Sequence, residues 1–215
     1  MVFSIIDAGV DDMGYSTLLD VMGSLIIAGF ISLMVIRANG SISMMNYTYG
    51  QDMNVQKGMT TLIEMVEYDF RKIGYCEDPD KFPYGAWAIR EAGNHNFTFL
   101  ADIDFDKTVD TIKYYTGTKH DARSTSNPRD FPLYRTVNNS APMPMYLGAT
   151  QFDFEFFDWE GAQIDFPIPM DSASLSGIFS IRLTVLLEST EAYDSVYTYS
   201  YWRQLRLSSR NQINR

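Results

Sequence analysis

The run VMGSLIIAGFISLMVI, residues 21–36, carries no charged side chain, and few architectures can accommodate it. As a helix it spans only about 24 Å, short of a hydrocarbon core of roughly 30 Å. Extending it back to Ser16 gives about 31 Å, but Asp20 then lies inside the span. A lone carboxylate at that depth costs roughly 2.5–3.5 kcal/mol on insertion scales, so it calls for a partner or a purpose. A cleavable secretory signal fits less well. Nothing before Arg37 is basic and no clear small-residue cleavage site follows. The core helix of a soluble domain is the other reading of the same residues.

Past Arg37 the chain stays compatible with helix, since no proline occurs before Pro79. Gly40, Gly50 and Gly58 are weak points, each costing about 1 kcal/mol in a helix interior. From Met59 a clear period emerges: Met59, Leu62, Ile63, Val66, Phe70 and Ile73 recur at three- and four-residue steps. Glu64, Glu67 and Arg71 fall on the opposite side. Gly74 reads as a C-terminal cap, and Pro79 bars early resumption. Residues 15–74 are therefore predicted to form a helical spine, apolar all round at its front and amphipathic at its end. Continuous from 16 to 73 it would measure about 87 Å, too long for a compact domain of this size, so its front is expected to protrude. The amphipathic stripe is expected to seat the spine on the rest of the chain, meeting residues such as Phe154 and Leu183.

Residues 75–215 are predicted to be a β-rich head. Runs such as NFTFLADIDF, DTIKYYTG, ATQFDFEFFDWEG and IFSIRLTVLLES are rich in β-branched and aromatic residues, with turn-prone clusters between them. Phe152, Phe154 and Phe156 alternate with Gln151, Asp153 and Glu155, the signature of a strand with one buried face. The expected fold class is α+β: a long protruding N-terminal α-helix packed on a C-terminal antiparallel β domain.

These residues, in this order, resemble a type IV pilin-like protein. More narrowly, the chain is similar to the J-type minor pseudopilins of type II secretion and the W-type minor pilins of type IV pili. Gly14-Tyr15 precede Thr17-Leu18-Leu19-Asp20-Val21, where those families place a leader glycine, an aromatic residue and Thr-Leu-Leu-Glu-Val. The spine ends in Asp69-Phe70-Arg71-Lys72-Ile73-Gly74-Tyr75, similar to the family's Asp-x-Arg-x-x-Gly-Tyr ending. Lys113-Tyr114-Tyr115, Leu133 to Asn138, Gly148 to Phe152, Arg182 to Leu187 and Arg210-Asn211 continue the order. The resemblance implies a leader-like segment over residues 1–14 with cleavage after Gly14. It also implies subunit packing through Tyr15, Leu18, Leu19, Asp20, Leu25, Ile26 and Phe30. In the family the buried carboxylate pairs with the terminal amine of a neighbouring subunit. Three departures stand against the pattern. Asp20 would be the sixth mature residue rather than the fifth, and residues 1–14 are acidic and apolar where family leaders are basic. Arg37, just past the apolar run, opposes the usual orientation. Cleavage is therefore left open.

The chemistry elsewhere is sparse. A net charge of −10 argues against nucleic acid as a partner, although Arg203, Arg206, Arg210 and Arg215 crowd the C-terminus. Cys76 is a lone cysteine, so no internal disulfide forms. His95 and His120 lie in polar, loop-like stretches, and no phosphate loop or nucleophile motif occurs. The chain is not expected to be an enzyme or to need a cofactor. Asp102, Asp104 and Asp106 are the best metal-ligand set. On a strand they would share one face, and their hard oxygens suit calcium, although a solvated edge face is the plainer reading. Tyr193 to Trp202 reads as a packed strand pair before an aromatic ligand platform.

Two functions follow. In the first, the chain is a structural subunit of a type IV pilus-like or pseudopilus-like filament or its tip complex. Its partners are then copies of itself or other pilin-like subunits, with the cytoplasmic membrane as its anchor before assembly and the cell surface as its destination. In the second, it is an envelope protein anchored by a single helix, whose β domain binds a partner or a glycan.

Overall fold

The computed structural model describes residues 5–82, 87–122, 125–138, 140–192 and 196–207, with side chains between Gly14 and Trp202. The first residues of the leader-like segment, Tyr193 of the C-terminal aromatic stretch, and Arg210, Asn211 and Arg215 lie outside the described residues.

One helix, α1 (Ile5–Arg71), runs for 67 residues. It begins earlier than the expected start near Ser16, because no proline interrupts the preceding stretch. It also passes unbroken through Gly40, Gly50 and Gly58. A penalty of about 1 kcal/mol per glycine is too small to break a ladder with bonded turns on both sides. The helix ends by tightening: Lys72 N–H donates to Asp69 O at 3.1 Å and Ile73 N–H to Phe70 O at 3.2 Å. Gly74 then takes φ +74°, the left-handed conformation a capping glycine supplies, and gives its N–H to Leu100 O at 2.8 Å.

The chain divides into two compact units, Met1–Tyr49 and Gly50–Arg215. In the described residues the first is helix alone. The second joins the end of α1 to an antiparallel sheet of eight strands: β1 (Ile89–Ala92), β2 (Asn96–Ala101), β3 (Asp110–Thr116), β4 (Phe131–Val137), β5 (Met143–Phe157), β6 (Gln163–Ile164), β7 (Ser180–Glu188) and β8 (Tyr199–Leu207). The order across the sheet is β1-β2-β3-β4-β5-β7-β8, with β6 pairing the end of β5. A short helix, α2 (Ser172–Ser176), is capped by Asp171, whose carboxylate accepts from Ser174 N–H at 2.8 Å.

The sheet curls. Phe154 N–H in β5 donates to Asn94 O, in the turn between β1 and β2, at 2.8 Å, although three strands separate β1 from β5 in the order. Gly148 lets β5 bend against β7. It has φ +72°, and an added Cβ would lie 1.9 Å from Glu188 O, so no other residue fits without moving backbone. The ladder shifts register two residues on, between Ala149 and Gln151.

The concave face is filled by α1. Val55, Met59, Leu62, Val66, Phe70 and Ile73 are buried in one cluster with Phe97, Phe99, Phe152, Phe154, Phe156, Leu183 and Val185, and Ile63 packs at its margin, partly buried. Phe70 sits at the centre, with ring centroids 5.3 Å from Phe97, 5.5 Å from Phe99, 5.8 Å from Tyr114 and 6.2 Å from Phe154. The helix and the antiparallel sheet therefore share one core, an α+β arrangement. The sequence stripe meets the sheet where Phe154 and Leu183 lie.

Candidate functional site

From Gly14 to Ile36, α1 exposes its apolar side chains on every side. Tyr15, Leu18, Leu19, Val21, Met22, Leu25, Ile26, Ile27, Phe30 and Ile31 are all more than half exposed. Their positions span the whole circumference at 100° per residue, which suits hydrocarbon or packed neighbours rather than water. The helix is long and apolar enough to cross a membrane. Its hydroxyls fit that setting: Thr17 donates to Gly14 O at 3.0 Å, Ser24 to Val21 O at 2.8 Å and Ser32 to Ala28 O at 2.8 Å. These bonds satisfy polar groups that hydrocarbon could not. Asp20 is the only charged residue between Ser16 and Ile36. Asp20, Ser24, Ala28 and Ser32 recur at four-residue steps and so share one ridge of the helix.

At the other end of α1 the structure assembles a group that the sequence reading did not connect. Asp69 is 1% exposed and lies within the buried face. Arg135, from β4, reaches it with Nε at 2.7 Å and with an Nη at 3.2 Å, a two-point clamp. The Tyr114 hydroxyl, from β3, donates to Asp69 at 2.5 Å. Burial, together with the Asp69 charge, pushes the Tyr114 phenol well above its ordinary pKa. Burial opposes the charged guanidinium of Arg135, but the Asp69 hydrogen bonds and charge outweigh that and push its pKa up. One signal was legible: Asp69 follows Val66 by three and Leu62 by seven, so a carboxylate falls on the apolar stripe and demands a cation.

Asp102, Asp104 and Asp106 come together, but not on a strand. β2 ends at Ala101, and the three residues form the loop leading to β3. One carboxylate oxygen from each lies within 4.8 Å of the others. Asp102 is fully buried while Asp104 and Asp106 are exposed, so the expected solvated edge face is not what forms. The loop also covers the end of α1. Lys72 Nζ donates to Ile103 O at 2.6 Å and stands 3.7 Å above the Phe105 ring. Cys76 is buried beside it, its Sγ 4.0 Å from Asp102 Oδ2.

The convex face of the sheet carries an open polar groove lined by His95, Asn96, Lys113, Tyr115, Thr136 and Asn138. Lys113 pairs with Glu91 at 3.0 Å, and the His95 imidazole Nδ1 lies 3.1 Å from Asp153. Burial works against the Glu91 carboxylate, but the hydrogen bonds from Lys113, Thr98 and Asn96 and the Lys113 charge together outweigh it and lower its pKa. Tyr115 and Tyr134 stack beside it, centroids 4.9 Å apart. No protein-family model matches the chain, and no curated protein matches it either.

Proposed function

We propose that the protein is a structural subunit of a type IV pilus-like or pseudopilus-like filament, or of its tip complex. It is anchored in the membrane by the front of α1 and then packed through that helix against copies of itself or related subunits, displaying the β domain at the cell surface. The observation that carries this reading is the all-round exposure of apolar side chains over residues 14–36, interrupted by one carboxylate. A membrane anchor alone has no use for Asp20, which costs roughly 2.5–3.5 kcal/mol at mid-bilayer. An assembly does have a use for it, because a cation from a neighbouring helix offsets that cost. The ridge of Asp20, Ser24, Ala28 and Ser32 supplies small residues over which a second helix approaches closely.

Cysteine crosslinking in membranes tests the reading. With copper–phenanthroline as oxidant, Leu25→Cys and Ile26→Cys chains should each yield disulfide-linked dimers, and Asp20→Ala should reduce them while leaving the chain in the membrane fraction. A chain that stays monomeric at both positions, with its head folded, would establish the single-helix anchor instead. Removing residues 1–38 should release a soluble, folded β domain. A truncated chain that aggregates would place the front of α1 in the domain core and end both readings.

A further inference from the structure

The geometry points to a calcium site in the loop between β2 and β3, built on Asp102, Asp104 and Asp106. The acidic cluster alone would not carry this, since exposed carboxylates gather without ligands. What carries it is the state of Asp102. Its side chain is fully buried, and its two oxygens are treated differently. Oδ2 accepts the N–H of Glu77 at 3.1 Å and of Lys107 at 3.2 Å. Oδ1 is buried without any hydrogen-bond partner. A buried carboxylate oxygen left unpaired is costly, and among the described residues no ammonium or guanidinium lies within 4.0 Å of any of the three carboxylates. Of the nearby lysines, Lys107 turns towards Glu77 at 4.0 Å and Lys72 binds Ile103 O, while the Lys81 charge acts on Asp106 only from beyond ion-pair distance. A small hard cation satisfies Oδ1 and offsets three negative charges at once.

The surrounding loop is compatible with this. Carboxylates at first, third and fifth positions, with the sixth residue turning at φ +69° and returning its N–H to the first carboxylate, repeat the opening of an EF-hand calcium loop. The sixth residue is Lys107 rather than glycine, and the twelfth is Lys113 rather than the bidentate glutamate. With three protein carboxylates, calcium draws roughly three to five further oxygens from loop carbonyls and water, a mixed shell that magnesium's strict octahedron tolerates less well. The missing glutamate places the affinity near the weak end, a Kd of about 10⁻⁴–10⁻³ M, suited to a protein that meets extracellular calcium. Because the loop holds Lys72 and the chain after Gly74, binding would fasten the end of α1 to the sheet.

The test uses the full chain in detergent, stripped with a chelator and titrated with calcium chloride. One equivalent should bind, and the head should melt at a higher temperature in about 10 mM calcium than in the same magnesium concentration. Asp102→Asn should weaken binding at least tenfold. Because that residue is buried, Asp106→Ala on the exposed side gives a second reading: a folded head, with calcium binding weakened at least tenfold and the calcium-dependent rise in melting temperature lost. A wild-type chain that melts identically with and without calcium overturns the site, as does an Asp106→Ala chain that keeps wild-type affinity.

Discussion

Residues 18–36 and residues 55–71 belong to the same helix, yet they answer to different solvents: the first carries one charged side chain and the second five. In the second stretch the large apolar residues keep to one stripe, and Val66 and Phe70 on that stripe are 0% and 1% exposed. In the first they occupy every direction, and Leu19 and Phe30 remain 67% and 62% exposed. A stripe needs one partner surface, which the chain provides in its own sheet. A full circumference needs surroundings on all sides, which a single sheet face cannot give. Angular distribution, together with hydrophobic content, separates a segment that completes a domain from one that needs a membrane or other helices.

The largest test of that contrast pairs Val66→Asp with Leu25→Asp. Val66→Asp removes about 1.5–3 kcal/mol of burial and sets an unpaired carboxylate in the seam. The loss should exceed about 4 kcal/mol, enough to unfold a domain of ordinary stability in a urea titration. Leu25→Asp should leave the head's unfolding curve unchanged and reduce membrane recovery. Equal effects of the two on the head would erase the distinction.

Next is Arg135→Ala, which strands the Asp69 carboxylate inside the core. Removing one partner of a buried pair costs about 3–5 kcal/mol, and the midpoint of denaturant unfolding should fall accordingly. A loss below about 1 kcal/mol would mean that Asp69 finds water or another donor, and that the seam is looser than the stripe implies.

A pH series sharpens the same seam. Tyr114 holds its proton more tightly when folded, because burial and the Asp69 charge raise its pKa above the ordinary 10.0. The unfolded chain therefore loses that proton first. Stability from this group is complete below about pH 10 and declines as the pH rises beyond it. Tyr114→Phe should make the alkaline decline shallower, measured against its own stability at neutral pH. An unchanged slope would assign the decline to other groups.

The smallest effect is expected at Glu67→Ala, whose side chain is partly buried, 29% exposed, and stands outside the buried cluster. Its ion pair with Arg71, at 3.2 Å, is an i,i+4 contact with the arginine side chain 74% exposed. The loss should be about 0.3–0.5 kcal/mol. A loss above about 2 kcal/mol would show that this side of the helix is also a packing surface.

Much of this was legible from spacing. The stripe from Met59 to Ile73 and the alternation of Phe152, Phe154 and Phe156 depend only on helix and strand periods, so the two faces of the core follow from spacing alone. Val55 extends the stripe by one turn but stands among Asn54, Gln56 and Lys57, where a lone valine carries no periodic signal. Asp102 to Asp106 alternate with Ile103 and Phe105, which reads as a strand. Two positive φ values, at Phe105 and Lys107, turn the segment instead, and neither residue type announces such a conformation. The Asp69–Arg135 clamp joins residues 66 apart in sequence, a pairing that the topology of the sheet decides and that no local pattern encodes.

Between the two contrasted stretches, residues 37–54 of α1 are helical but largely exposed and form no part of the core cluster. Nothing buried resists their opening, and Gly40 and Gly50 each lower the helical preference by about 1 kcal/mol. The helix is one element by its hydrogen bonds and more than one by its cooperativity. Amide protons over 37–54 should exchange with solvent through local opening, far sooner than those over 55–71, whose release requires the head itself to unfold. In the isolated chain a protease should cut within this stretch, residues 37–54, sooner than within residues 55–71. In an assembly, neighbours covering it would slow that exchange, giving a readout of packing that needs no label on the apolar front.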